Sequence, residues 1–183
     1  EELAELMIGR KVLLNIEKSK AKSGKALLTA KNLEIYNEQG LKRVTEVSFE
    51  AHSGEILGIA GVTGNGQGSL LKALAGILPL SKGSIEIMGK TITPETHLNP
   101  KQLRELGVAH VPEDRQKMGM IADFSASETA LLGYHNDKEI NQGVWLKRSS
   151  VKANCESLMQ AFDVRPNNPN LMSSNFSGGN QQK

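Results

Sequence analysis

The run Ile56-Leu57-Gly58-Ile59-Ala60-Gly61-Val62-Thr63-Gly64-Asn65-Gly66-Gln67-Gly68-Ser69-Leu70 constrains this chain more than any other stretch. Ile56 to Ala60 is a short apolar run without a helical stripe, the pattern of a strand covered on both faces. Gly61, Gly64, Gly66 and Gly68 follow at once, and Leu70, Leu71, Leu74 and Ile77 then recur at helical spacing. That order predicts a strand, a glycine turn and an amphipathic helix. Such a turn is suited to cradle phosphate, because glycine lets backbone N–H groups approach an anion and a helix N-terminus favours negative charge. Gly61, four residues and Gly66 meet the first half of G-x-x-x-x-G-K-[ST]. Gln67 then stands at the lysine position and Gly68 at that of the magnesium-binding hydroxyl, with Ser69 one place late. The same loop nearly fits the dinucleotide pattern G-x-G-x-x-[GA] through Gly64, Gly66 and Ser69, with Glu86 at the distance of a ribose contact. An ordinary tight turn is the third reading, and the loop alone leaves all three open.

Composition narrows the field. The 183 residues suffice for one domain with a real core, and 38% hydrophobic with 23% charged residues is a globular balance. The 22 basic and 20 acidic residues nearly cancel, and aromatic residues are only 4%, so neither an electrostatic footprint nor stacking platforms point to nucleic acid. Cys155 is the only cysteine, which excludes an internal disulfide; it reads as a small filler on a helix. No Cys/His cluster has metal-ligand spacing. No apolar run reaches membrane-spanning length and no signal-peptide pattern is present, so any link to a membrane is expected to pass through a partner.

Along the chain, Glu1 to Gly9 reads as a short helix and Lys11 to Lys25, with Lys18, Lys20, Lys22 and Lys25, as a solvated linker. Ala26 to Tyr36 and Val44 to Ala51 read as strands joined by the turn Asn37-Glu38-Gln39-Gly40, and Ser84 to Met88 as another before the turn at Gly89-Lys90. Paired strands ahead of a glycine loop predict an antiparallel sheet beside a parallel α/β core. Pro100 begins a short helix running to Leu106, and Val108 to Val111 reads as a second buried strand carrying His110, taken as a structural or surface histidine. Helices are expected at Ser127 to Leu132 and Ser150 to Phe162, with Trp145 as a packing anchor in the loop between them, and Pro166 to Asn170 forms a rigid connector.

The end of the chain, Phe176-Ser177-Gly178-Gly179-Asn180-Gln181-Gln182-Lys183, resembles the signature sequence of ATP-binding cassette ATPases. Ser177 can cap a helix whose first N–H groups, at Gly178 and Gly179, would face an anion. Gly54 to Gly61 looks like the strand entering the phosphate loop of that family, and Ser81-Lys82-Gly83-Ser84-Ile85 like its following hairpin, which makes the fit of Glu86 to the dinucleotide pattern accidental. Val111-Pro112-Glu113-Asp114-Arg115 falls at the family's glutamine loop, with Glu113 in place of glutamine. Gly64-Asn65-Gly66-Gln67, Val-Pro-Glu-Asp-Arg and Ser-Gly-Gly-Asn-Gln-Gln-Lys together resemble the second ATP-binding domain of tandem-cassette subunits that energise bacterial sugar and nucleoside importers.

The resemblance implies a P-loop α/β domain with an antiparallel subdomain, a partial parallel core and a helical subdomain over about 116–175. Residues 1–25 would be the tail of a preceding cassette and a linker, and 26–183 a nucleotide-binding domain cut within the signature helix. The family's later acidic motif and switch histidine are then expected beyond Lys183, leaving no complete catalytic set and no metal ligands here, with Glu113 at the glutamine-loop position. ATP, as Mg-ATP in the parent protein, is the implied cofactor. Gly61, Gly64, Asn65, Gly66, Gln67, Gly68 and Ser69 would receive it on one side, with Tyr36 near the adenine-stacking position. Ser177, Gly178 and Gly179 would complete a second site formed with the other cassette. Membrane permease subunits are the other implied partners, docking near Phe124, at the cytoplasmic face of the bacterial inner membrane.

Overall fold

The computed structural model describes residues 22–135, 137–138, 140–143 and 145–183. The expected helix over Glu1 to Gly9 and the linker residues Lys18 and Lys20 lie outside the described residues. The chain divides into two compact units, Glu1–Asn99 and Pro100–Lys183.

The first unit is built on a hairpin of β1 (Ala26–Tyr36) and β2 (Lys42–His52). Its turn closes because Asn37 Oδ1 accepts the N–H groups of Gln39 at 3.1 Å and Leu41 at 2.8 Å. This is an asparagine side chain standing in for a backbone acceptor. A second hairpin joins β3 (Lys82–Ile87) to β4 (Lys90–Ile92), and its two turn residues, Met88 and Gly89, both have positive φ (51° and 80°). The four strands form one antiparallel sheet in the order β2-β1-β3-β4, as the strand pattern leads one to expect.

Leu33, Ile35 and Ile85 are fully buried, with Ala30, Ile87 and Ile92 beside them. Helix α1 (Gln67–Leu74) adds Leu70 and Ala73 to this core. Leu71 and Ile77, read from sequence as part of the buried stripe, are instead 44% and 37% exposed. The helix stops at Leu74 and Gly76 takes a φ of 72°, so Ile77 falls outside the helical period, and Leu78 and Leu80 are buried in its place.

β1 does not alternate simply. The register shifts between Ala30 and Leu33, where Asn32 has a φ of 47° and its N–H is held by Ser48 Oγ at 2.8 Å. Beyond this bulge Leu33, Glu34 and Ile35 are all buried. A carboxylate in such a place must be paired. Glu34 meets Lys42 of β2 at 2.9 Å and Lys82 of β3 at 3.4 Å, so one side chain ties three strands together.

The expected strand over Ile56 to Ala60 does not form. These residues are irregular and exposed, with Ile56 93% and Ile59 47% accessible. A strand covered on both faces needs ladder neighbours on its edges and helices above and below. No strand among the described residues pairs with this segment.

In the second unit α2 (Pro100–Glu105) buries Leu103 and ends before Gly107, at φ 90°. The expected strand at Val108 to Val111 is also unpaired, and Val111 is 81% exposed, for the same lack of neighbours. A π-type turn over Arg115–Gly119 is capped by Asp114, whose carboxylate accepts the Lys117 N–H at 3.1 Å. Helix α3 (Ala126–Ala130) starts with a capping box: Ser125 N–H donates to Glu128 Oε2 at 2.8 Å while Glu128 N–H donates to Ser125 Oγ at 3.3 Å. The strands β5 (Asn141–Gln142) and β6 (Trp145–Leu146) form a short pair before α4 (Arg148–Ala161). Trp145 does not anchor packing; it is 76% exposed on that pair. A 3-10 turn at Ser173–Asn175 leads into α5 (Gly178–Gln182). The core here is Cys155, Met159 and Phe176, with Ala126, Ala130, Val164 and Leu171 packed against it.

The hydrogen bond from Lys42, with the charges of Lys42 and Lys82, holds the Glu34 carboxyl below its ordinary value of 4.5. A depressed carboxylate contributes stability that is complete above the unfolded-state pKa and is lost as pH falls through the folded-state one. Glu34→Gln is therefore expected to lower the melting temperature at neutral pH. It should also flatten the loss of stability below pH 4.5. Melting curves of both proteins across that range check it, and equal pH slopes would rule out the three-strand pairing as a source of acid sensitivity.

Candidate functional site

The glycine loop runs from Gly61 to Gly66 and is exposed up to its last residue. Asn65 N–H bonds the Val62 carbonyl at 3.1 Å, which makes a tight turn. Gly64 and Gly66 follow left-handed paths, with φ of 92° and 98°, that favour glycine. Gly66 is the N-cap of α1 and carries no side chain to satisfy the first turn. The first intrahelical bond is Leu70 N–H to the Gly66 carbonyl at 2.9 Å. The N–H groups of Gln67, Gly68 and Ser69 lie ahead of it, pointing out of the helix start without a capping side chain. No acidic residue stands in that first turn, so its partial positive charge is free to meet an anion. The loop thus leaves backbone donors at an uncapped helix start.

The side chain at the lysine position behaves differently. Gln67 folds back so that its Nε2 donates to the Val62 carbonyl at 3.3 Å. It occupies the space over Gly61, where a Cβ would come within 1.9 Å of it. The residue read from sequence at the lysine position is thus a neutral carboxamide turned back on its own loop, and its neighbour Gly68 carries no hydroxyl. Upstream, Glu55 accepts the His52 N–H at 2.8 Å, and this bond holds its carboxyl below the ordinary range. Tyr36 ends β1 and is 41% exposed. Two residues on, Glu38 pairs with Lys72 of α1 at 3.0 Å, so the β1–β2 turn is tied to the helix that follows the loop.

At the far end of the chain Ser177, Gly178 and Gly179 are all exposed, and Ser177 is the N-cap of α5. Its side chain caps no backbone N–H. Glu113 is exposed beside the capped π-type turn. The structure brings these two motifs together through Arg115, whose guanidinium lies against Gly178 so closely that a Cβ there would be 2.9 Å from it. Arg115 Nε is buried without an acceptor. Both motifs border a cavity of about 410 Å³, whose walls include Glu113, Arg115, Cys155, Met159, Phe176 and Asn180. Burial pushes the Cys155 thiol up, away from reactivity. Phe124 is 38% exposed next to Ile121 and Met172, at 42% and 47%, and its carbonyl accepts the Ser173 N–H at 2.8 Å.

Sequence reasoning quoted Arg115 and Asn180 within their motifs but gave neither a role of its own. Asn180 stands three residues after the N-cap serine, but it is not the Glu or Gln of a capping box, and its Nδ2 donates to Ser177 Oγ at 3.1 Å. Its partner Arg165 lies 15 residues upstream, and no local pattern announces that bond.

The family profile described as "ABC transporter" matches residues 44–183. Among curated proteins the chain is 36% identical over its whole length to the nucleoside import ATP-binding protein NupA of Lactococcus lactis subsp. cremoris, covering 36% of that protein. It is also 36% identical to the guanosine import ATP-binding protein NupO of Bacillus subtilis, covering 35% of it, and 34% identical to the ribose import ATP-binding protein RbsA of Clostridium tetani, covering 34% of it. The chain spans about a third of the length of these relatives. Among solved structures it is similar in fold to a nucleotide-free ATP-binding cassette from an ABC transporter, with a TM-score of 0.65 at 20% identity over 86% of this chain and 61% of the other. The ATP-binding subunit of an ABC transporter gives a TM-score of 0.56 at 20% identity over 85% and 58%. No helix among the described residues is long and apolar enough to cross a membrane.

The loop geometry distinguishes its glycines. A Cβ on Gly66 would lie 2.2 Å from the Arg43 carbonyl oxygen, whereas one on Gly64 meets nothing within 4 Å. Gly64→Ala should cost only the left-handed backbone strain, about 1 kcal/mol. Gly66→Ala must displace either β2 or the helix start, and is expected to cost several times more. Urea unfolding of the two variants measures this, and equal losses would contradict the close approach.

Proposed function

The chain belongs to the ABC transporter family, and from that premise we propose that it is a nucleotide-binding portion of the energy-coupling subunit of a bacterial importer for sugars or nucleosides. The observation that carries the reading is the exposed glycine loop opening onto the uncapped start of α1. The backbone N–H groups of Gly64 and of Gly66 to Ser69 would hold the nucleotide's phosphates, with the Asn65 N–H spent on the Val62 carbonyl, and Tyr36 would lie toward its base. ATP, when bound, supplies the phosphoanhydride whose hydrolysis powers transport.

In this reading the domain's own site is degenerate. Positioning and charge stabilisation are nearly all of phosphoryl-transfer catalysis. Loss of one aimed donor commonly costs about 2.7–4 kcal/mol of barrier in other enzymes. Gln67 brings no charge to the phosphates and is already bonded to the Val62 carbonyl, and Gly68 brings no metal ligand. That observation favours a second description of the same domain: a non-catalytic, nucleotide-regulated binding module. The signature residues Ser177, Gly178 and Gly179 would instead serve a working site whose phosphate loop lies on the other cassette. The exposed apolar residues at Ile121, Phe124 and Met172 offer a surface for permease subunits.

Titration of the chain with ATP and Mg²⁺ is expected to show affinity weaker than micromolar and negligible turnover; micromolar affinity with rapid hydrolysis would overturn the degenerate-site reading. Gln67→Lys should tighten ATP binding about tenfold to a hundredfold, the worth of a charged hydrogen bond in place of a neutral one. In the full-length protein, Ser177→Arg is expected to abolish solute uptake while leaving the melting temperature unchanged. Normal uptake by that variant would remove Ser177 from the mechanism.

A further inference from the structure

We propose that Asn180 is a positioning residue that makes the Ser177 hydroxyl a hydrogen-bond donor directed away from the protein. The proposal rests on the signature reading of Ser177 given above. Asn180 forms a two-way bond with the main chain of Arg165: its Oδ1 accepts the Arg165 N–H at 3.1 Å and its Nδ2 donates to the Arg165 carbonyl at 2.7 Å. A donor and an acceptor on one residue settle which end of the carboxamide is nitrogen. The second Nδ2 hydrogen then reaches Ser177 Oγ at 3.1 Å.

A serine hydroxyl has one hydrogen to give and lone pairs to receive. Ser177 Oγ receives from Asn180, and it caps no backbone N–H of α5. A serine before a helix ordinarily accepts from the helix's first turn. Here the oxygen accepts from Asn180 instead, and the residue is exposed, which leaves the hydroxyl hydrogen for an acceptor outside the protein. A phosphate oxygen, which only accepts, matches that polarity.

The support behind Asn180 is itself braced. Arg165 Nε donates to Asp163 Oδ1 at 2.8 Å, Lys183 donates to the Asp163 carbonyl, and Gln181 Nε2 donates to the Ser173 carbonyl at 3.0 Å. Asn180 is thus held on a rigid turn and aims a neighbour, which is different from touching ligand. Asn180→Asp keeps the acceptor for the Arg165 N–H but removes both donors and places a carboxylate beside Ser177 Oγ. The hydroxyl would then turn inward and donate to it.

The test has two arms. In the full-length protein assembled with its permease, Asn180→Asp is expected to lower kcat for ATP hydrolysis about a hundredfold, the scale of one aimed donor lost. KM should stay within about twofold, because the contact is made only in the assembled site. Asn180→Ala should cost less, since the hydroxyl becomes free rather than reversed. In a Ser177→Ala background, Asn180→Asp should add almost nothing. Equal losses from Asn180→Asp in both backgrounds would overturn the proposal, because a merely structural residue destabilises regardless of the serine. The second arm is hydrogen exchange of this chain by NMR, with the Arg165 amide and the Asn180 side-chain amide expected to exchange slowly. Free exchange at both overturns the clamp itself, whatever the nucleotide chemistry. Slow exchange together with unchanged turnover in Ser177→Ala overturns the signature reading instead, and the positioning role with it.

Discussion

The meeting of Gly66 with the main chain of Arg43 constrains the glycine loop of the first unit. The backbone must turn left-handed there, at φ 98°, with no room for a side chain. That turn sets the direction in which α1 leaves the loop and lays Leu70 and Ala73 in the core of the first unit. The same turn leaves the first N–H groups of α1 without a cap. A glycine in place of a serine or aspartate cap gives up only about a few tenths of a kcal/mol of local stability. Residue 66 cannot supply such a cap, because the space is taken, so the packing of α1 and its uncapped start follow from a single steric fact.

The sheet beside that loop solves a related problem with charge. Glu34 is buried on a central strand, and Lys42 and Lys82 reach it from the two flanking strands. A lone carboxylate there would be costly, while a paired one fixes which strands neighbour β1. In the second unit the comparable device is a set of side-chain-to-main-chain bonds. Asp114, Ser125 with Glu128, and Asn180 each satisfy backbone groups where the chain changes direction.

The hairpins and helices were legible in the sequence because each carries its own signals. Ala26 to Tyr36 reads as a strand and forms one with those bounds, and Asn37 to Gly40 closes the predicted turn. The expected helix at Ser150 to Phe162 is found as Arg148–Ala161. The apolar runs at 56–60 and 108–111 were misread as formed strands because a run of apolar residues states a need for neighbours and does not supply them. Trp145 failed for a similar reason: size alone does not say what surrounds a ring. At the candidate site the glycine spacing was legible, but the folding of Gln67 onto Val62, the approach of Arg115 to Gly178 and the Asn180 clamp were not. These depend on side-chain direction and on contacts between distant residues, about which spacing is silent.

The single thiol has a consequence of its own. Cys155 packs with Met159 and Phe176 in the core of the second unit and borders the cavity of that unit, with its proton held more tightly than in water. It is 2% exposed, so a labelling reagent needs that wall to open. Its rate of capture is therefore a clock for breathing of the Pro100–Lys183 unit.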